Sequence, residues 1–321
     1  LIKKIYIILF LILIILGSNV FAKDDDFQYN RENVSNYFLG VVLLNQDNNK
    51  EAFKHLKKAK SLKDKHSKYN VEFTRTLILL EKFNEAFSFS KNIWRKEEFL
   101  FETDLLLGLE SLINHNYITA EKHFKRLNKI SKYNPFFGNF LGNVLLAWSK
   151  AAEGKEDDSF AILEKISSRY IELKKTQNSF LHCYFDNKKT FGSFENLIKN
   201  ENYNFSRYDF FLVNYLLHKD RITEANKIIK TSSSSSSTNL LIKQTEEFLK
   251  KKRTDKLISF FNCQNLEDNL AEFFYIIANI YSSEKNYQMS NFFDLITSNT
   301  PFFYNELHSD VGGYLLQKDM E

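Results

Sequence analysis

The side chains best able to do chemistry are scattered through this sequence. It has seven histidines, and no two lie three or four residues apart, the spacing that places side chains on one helix face. His182 and Cys183 are adjacent, so on a helix their side chains would point about 100° apart. The sequence contains no glycine-rich phosphate loop, no GxSxG nucleophile turn and no HExxH metal motif. It therefore predicts no catalytic residue, no metal site and no cofactor.

The cysteines and the charge balance limit the function further. Cys183 and Cys263 are the only cysteines, and the sequence leaves open whether they pair or are two small core residues. The net charge of +4 falls to +2 without residues 1–22, which hold Lys3 and Lys4 and no acid. The densest basic run, residues 250–253, is interpreted as a solvated helix end without the aromatic side chains that stack nucleic-acid bases. Nucleic acid is therefore excluded as a predicted partner.

The elements that carry these residues are predicted to be helices in a repeat. Only 9 Gly and 2 Pro occur in 321 residues, too few for the frequent turns of a β-rich fold. Two columns of residues share a period of 34: Ala52, Ala86 and Ala120 form one, and Gly40, Thr74, Gly108 and Gly142 form the other. Small residues at a fixed period let two antiparallel helices approach closely, so both columns are predicted to be packing positions between helices.

This period and its residues resemble the tetratricopeptide repeat. The first unit matches the family motif at Leu39-Gly40, Ala52 and Leu56, and the third at Leu107-Gly108, Ala120 and Phe124. Thr74 replaces the glycine in the second unit, and the leading tryptophan of the family is missing, with Asn36 in its place in the first unit. The resemblance implies an all-α fold, a right-handed superhelix of antiparallel helix pairs.

The same resemblance implies a binding face. In the family, the first helices of the pairs line a concave surface that binds a protein or peptide. Transferred to this sequence, the lining residues are Tyr37, Val41, Asn45, Arg75, Phe136, Asn139 and Asn143. Arg75 lies among apolar neighbours, so it is a candidate to bind a carboxylate of the partner, although an ordinary exposed arginine is the simpler interpretation.

The N-terminus predicts export. Lys3 and Lys4 precede an apolar run at residues 5–16, and Val20-Phe21-Ala22 fits a signal-peptidase site. The run is shorter than the roughly 20 residues of a membrane span, although residues 5–22 could form an inner-membrane anchor instead. Residues 140–154 give the chain a closer resemblance to exported tetratricopeptide proteins of alphaproteobacteria, which implies the periplasm of a Gram-negative bacterium.

The chain is divided accordingly into four segments. We expect a signal peptide at 1–22, a tetratricopeptide-like solenoid at 23–230, a flexible serine-rich linker at 231–238, and divergent helices with a C-terminal repeat at 239–321. Residues 305–317 read as the first helix of a further pair whose second helix would lie beyond residue 321. The alternative is that residues 305–321 cap the preceding pair.

These expectations favour a non-enzymatic scaffold for protein–protein interaction in the cell envelope. Membrane contact is expected only through the N-terminal segment, if that segment is not cleaved. The alternative is a helical-repeat domain of an envelope enzyme, or of a polysaccharide- or peptidoglycan-handling complex, with catalysis elsewhere.

Cleavage after Ala22 is the first testable prediction. The apolar run followed by Val20-Phe21-Ala22 should direct a signal peptidase to this bond. Mass spectrometry of the exported protein should find Lys23 at its N-terminus. A mature product that retains residues 1–22 would favour the membrane anchor.

Overall fold

The chain is all-α throughout the residues that its structure describes. The computed structural model describes residues 29–131, 139–199, 207–235 and 239–298. These residues form sixteen α-helices and no strand. The helices are α1 (Arg31–Leu44), α2 (Asn49–Lys58), α3 (Ser67–Leu79), α4 (Phe83–Ile93), α5 (Phe101–Ile113), α6 (Tyr117–Ser131), α7 (Phe140–Ala152), α8 (Glu156–Glu164), α9 (Ile171–Tyr184), α10 (Thr190–Ile198), α11 (Arg207–His218), α12 (Ile222–Ser235), α13 (Leu240–Lys250), α14 (Thr254–Phe260), α15 (Leu266–Ser283) and α16 (Tyr287–Ser298).

Neighbouring helices form eight helix–turn–helix pairs, so the predicted all-α helical-repeat class is confirmed. We call the members of each pair the first and the second helix. Every pair turns through one residue with a positive φ, between 51° and 77°: Asp47, Glu81, His115, Gly154, Asp186, Asp220, Lys252 and Lys285. Seven of these eight are not glycine, although three are aspartate, which tolerates this left-handed conformation better than most residues.

The turns share one hydrogen-bond pattern. In each, the N–H of the residue after the positive-φ position donates to a carbonyl five residues earlier, at 2.8 or 2.9 Å, as Asn48 does to Leu43 and Asn286 to Tyr281. This bond satisfies a carbonyl at the end of the first helix. In seven of the eight turns the donor residue immediately precedes the second helix, and in the fifth turn Asn187 lies three residues before it. The repeat is therefore set by the backbone as well as by packing, and it extends through units whose side chains match the motif poorly.

The predicted packing positions are buried. Ala52, Ala86 and Ala120 have no exposed surface, and each lies five residues after the positive-φ residue of its turn. Ser159 and Ala225 occupy the same position and are equally buried. A short side chain here lets the second helix approach the first, so this column was predicted correctly.

The glycines confirm the close approach and correct one assignment. A Cβ on Gly40 would lie 2.7 Å from Leu56 of the partner helix, and one on Gly108 would meet Phe124 still more closely. A Cβ on Gly142 would instead meet Asn128, on the second helix of the preceding pair. Gly142 therefore lies at a close contact between neighbouring pairs. Within its own pair, the position that corresponds to Gly108, seven residues before the turn residue, is occupied by Ala147.

The described part of the chain divides into two compact units, with the boundary between Tyr69 and Asn70. In the first, α1 packs on α2, a 3-10 turn follows at Lys60–Asp64, and the hydroxyl of Tyr69 donates to the Leu56 carbonyl at 3.0 Å. In the second, each helix packs mainly on its neighbours in sequence. None of the described helices has the length and apolar character needed to cross a bilayer. Residues 1–22 and 305–321 lie outside the described residues.

The serine-rich segment does not separate two domains. α12 continues to Ser235, and residues on both sides of the segment belong to the second unit. The predicted flexible linker at 231–238 is therefore wrong for its first five residues, and 236–238 lie outside the described residues.

Hydroxyl hydrogen bonds explain why these serines remain helical. Thr231 and Ser232 each donate to the carbonyl four residues earlier, at 3.1 and 3.0 Å, which satisfies the side chains without breaking the helix. Ser233 donates to Glu246 of α13 at 2.7 Å. Local composition suggested disorder, but contacts with the next helix hold the segment in place.

A disulfide links two distant parts of the second unit. Cys183 of α9 and Cys263, between α14 and α15, are bonded with their Cα atoms 5.7 Å apart, and both are buried. The bond encloses a loop with a sequence separation of 80, for which the chain-entropy estimate of stabilisation is about 4.5 kcal/mol. The question left open by the sequence is thus answered, and α9 is tied to the start of α15.

Ala120→Glu tests the packing register. It should lower the free energy of unfolding by about 3 kcal/mol, because it places a charge and extra volume in a fully buried contact. Ile118→Glu, two residues away on the same helix and 83 % exposed, is the control and should change stability little. Equal thermal melts for the two variants would show that the register is wrong.

Candidate functional site

The first helices of the second unit do not line an open groove. α15 packs against α7 and α9, and its Phe273 ring lies 6.0 Å from that of Phe140. Phe293 of α16 lies 6.4 Å from Phe101 at the start of α5. We call the surface formed by α5, α7, α9 and α11 the first-helix face. The last described helix pair covers this face with apolar contacts.

A buried ion pair fixes α15 to α11. The guanidinium of Arg207 donates to both carboxylate oxygens of Glu272, Nε to Oε1 at 3.0 Å and Nη2 to Oε2 at 2.7 Å. The Glu272 side chain is fully buried, and the Arg207 guanidinium also lies 4.3 Å from the Tyr275 ring centre. Burial alone would lower the pKa of Arg207, but Glu272 raises it above its ordinary value. Burial raises the pKa of Glu272, and Arg207 opposes that rise.

Two residues predicted to line the groove make contacts within the protein instead. Asn143 is buried, and its side-chain oxygen accepts a hydrogen bond from Asn128 of α6 at 2.8 Å. Its assignment to the binding face is therefore corrected: it joins neighbouring helices. Arg75 does bind a carboxylate, but that of Glu102, with Nε 2.6 Å from Oε1. Glu102 is 1 % exposed, so capture of a partner's carboxylate by Arg75 would leave a buried charge unpaired.

The other predicted face residues have mixed surroundings. In the first unit, Tyr37 is half-buried with its ring 4.8 Å from that of His66, Val41 is half-buried, and Asn45 is exposed at the end of α1. Asn139 is exposed just before α7, and Phe136 lies outside the described residues. For these residues, a role in partner binding remains a prediction.

Sequence reasoning missed a buried polar cluster around Asp104. Its carboxylate accepts hydrogen bonds from Arg126 at 2.8 Å, His123 at 2.8 Å and Trp94 at 3.2 Å. The remaining Arg126 nitrogens donate to backbone carbonyls of residues 95, 96 and 98, in the connection between α4 and α5. An aspartate directly before the apolar run at residues 105–107 was the available signal. The cluster holds that connection in place.

A second surface of interest is a cleft in the second unit. A cleft of about 650 Å³ is floored by α9 and walled by α8 and α10. We call it the α9 cleft. Its floor is a stripe of Lys175, Asn178, Ser179 and His182, which recur at the spacing of one helix face. Its walls include Glu156, Asp157, Phe160, Glu164, Lys189, Ser193, Asn196 and Leu197.

Part of the cleft lining is committed to internal contacts. Ser179 and Ser193 are hydrogen-bonded across its base at 2.8 Å, and Glu156 accepts a hydrogen bond from Asn187 at 2.7 Å. These contacts join the floor and walls, so the cleft is formed before any ligand arrives.

Other lining groups remain able to bind. The side-chain amides of Asn178 and Asn196 make no hydrogen bond within the described residues. Burial, helped by nearby Lys189, lowers the pKa of His182, which favours the neutral ring. The buried Nδ1 of this ring has no hydrogen-bond partner in the described part of the chain, and the ring packs 4.6 Å from Phe160. The cleft thus offers amide donors and acceptors beside an aromatic surface.

The cleft occurs where the repeat pattern fails, which explains why the sequence did not indicate it. The small residue expected five positions after Asp186 is Phe191, which is half-buried. Thr190 takes the buried place instead, with its N–H bonded to the Asn187 carbonyl at 2.9 Å. Because the buried position moves by one residue, α10 packs differently from the second helices of the other pairs. Open space remains beside Gly192, where an added Cβ would meet no atom within 4 Å.

The amides of the cleft are suited to recognition by hydrogen bonds. Among the described residues, no three His, Cys, Asp or Glu side chains come together as a metal-binding group. Asn178 and Asn196 each present one carbonyl acceptor and one NH2 donor, the same combination as a peptide group. No protein-family model matches this chain, and no curated protein sequence is significantly similar to it.

Removing one partner of the buried ion pair tests how firmly α15 is held. Glu272→Ala should lower the free energy of unfolding by about 3 kcal/mol, because it leaves the largely buried charge of Arg207 uncompensated. The double variant Arg207→Met/Glu272→Met should recover most of that loss, since it removes both charges. Urea unfolding with the disulfide intact measures both. A single variant as stable as the wild type would contradict the buried pair.

Proposed function

We propose that this chain is an exported helical-repeat protein of tetratricopeptide type that binds a segment of another protein in the α9 cleft. The observation that carries the proposal is the contrast between two surfaces. The first-helix face of the second unit is covered by α15 and α16, whereas the α9 cleft is open and lined by unpaired amides. The eight turns of one geometry support the repeat assignment.

The disulfide supports export. Cys183 and Cys263 are buried, bonded and distant in sequence, and disulfides of this kind persist in oxidising compartments such as the bacterial periplasm. The signal-peptide pattern of residues 1–22 is consistent with the same compartment.

The dimensions of the cleft suit a short extended peptide. The floor from Lys175 to His182 spans seven helical steps, roughly 10 Å at 1.5 Å per residue. An extended chain advances roughly 3.3 Å per residue, so about three residues would lie along the floor. Asn178 and Asn196 would pair with backbone groups of the peptide, and Phe160 with His182 would contact one of its side chains.

Photo-crosslinking in cells tests this function. A photoreactive amino acid at position 178 or 196 should give an adduct of defined mass, and the crosslinked peptide should map to one segment of one protein. The same amino acid at Lys227, exposed on α12, is the control and should give no such adduct.

Binding of the mapped segment then tests the amides. Asn178→Ala/Asn196→Ala should weaken binding of the synthetic segment by about tenfold or more, since each lost hydrogen bond is worth roughly 1 kcal/mol. The matched control is Asn226→Ala/Asn279→Ala, whose amides bond only to carbonyls of their own helices. Equal losses in both variants, or no adduct from either cleft position, would exclude the α9 cleft as the binding site.

A further inference from the structure

Positive charge is concentrated in one short segment of the first unit. Residues 50–68 contain eight lysines and only two acids, Glu51 and Asp64, whereas the rest of the chain has 36 basic and 38 acidic residues. The lysines are Lys50, Lys54, Lys57, Lys58, Lys60, Lys63, Lys65 and Lys68. The net positive charge of the whole protein therefore comes from α2, the 3-10 turn that follows it, and the start of α3.

The fold directs this charge to solvent. Ala52, Leu56 and Ala59 form the buried face of α2, and the α2 lysines occupy the remaining faces. Seven of the eight lysines are exposed, and Lys63 is half-buried. We call these eight residues the lysine surface.

Much of this charge is not neutralised within the protein. Lys54 is bonded to Glu51 at 2.6 Å. Four other members have no ion-pair partner among the described residues: Lys50, Lys58, Lys60 and Lys68. Exposed lysines that are close together and unpaired repel one another, so an anionic surface that approaches them would relieve this repulsion.

The composition of the surface favours lipid headgroups over nucleic acid. All eight cations are lysines, which act as hydrated point charges, whereas base recognition relies on the planar fork of arginine and on exposed aromatic rings. The one Phe in the segment, Phe53, is half-buried and lies 5.8 Å from the Lys57 ammonium. Diffuse attraction to many phosphates needs only the charges themselves.

We propose that the lysine surface docks the exported protein on a membrane rich in anionic phospholipid. Each lysine near such a membrane strengthens binding by about fivefold, and the attraction falls off within roughly 10 Å at 0.1 M salt. The lysine surface belongs to the first unit and the α9 cleft to the second, so the two surfaces share no residue.

Vesicle binding tests the proposal. The purified chain from Lys23 onward should sediment with vesicles that contain 30 % phosphatidylglycerol and remain soluble with vesicles of pure phosphatidylcholine. Raising the salt from about 0.05 to 0.5 M should release it, because the attraction is electrostatic. Lys50→Gln/Lys58→Gln/Lys60→Gln/Lys68→Gln should weaken vesicle binding by at least about fiftyfold.

A matched variant separates this surface from net charge. Lys165→Gln/Lys188→Gln/Lys227→Gln/Lys243→Gln removes the same charge from exposed positions elsewhere and should bind as the wild type does. Equal loss in both variants, salt-independent binding or equal binding to both kinds of vesicle would overturn the proposal. Binding to duplex DNA as tight as to anionic vesicles would also overturn it. None of these results depends on the α9 cleft.

Discussion

Close approach within each helix pair is the constraint on which the rest of the structure depends. A buried small residue such as Ala120 allows it on the second helix, and a glycine such as Gly108 on the first. The left-handed turn residue and its hydrogen bond then return the chain at a fixed angle. Because the turn geometry is the same in all eight pairs, side chains elsewhere can diverge without losing the repeat.

The last helix pair changes what the repeat can do. A stack of first helices would ordinarily expose its face, but here α15 and α16 cover it in the second unit with phenylalanines and the Arg207–Glu272 pair. The disulfide ends three residues before α15 begins. The contacts that stabilise this unit therefore also cover its most obvious binding surface, whereas the α9 cleft stays open.

The two proposed binding surfaces differ in their physics. The α9 cleft presents amides and an aromatic wall in a preformed concavity, which suits directional hydrogen bonds to one short segment. The lysine surface presents only mobile point charges, which suits a broad anionic layer and gives little selectivity. Selectivity and location would thus be supplied by separate units of the chain.

The sequence by itself determined the class of fold, the 34-residue period and the buried alanine column, because these follow from local helix propensity and from steric limits that recur at fixed spacing. It also contained the excess of lysine at 50–68, which a count by segment shows directly. Tertiary structure alone decided that Cys183 meets Cys263, that Arg75 is paired with Glu102, and that Asn143 is buried against α6. The covered first-helix face belongs with these. Each depends on residues distant in sequence coming together, and no local pattern encodes which helix the last pair will pack against.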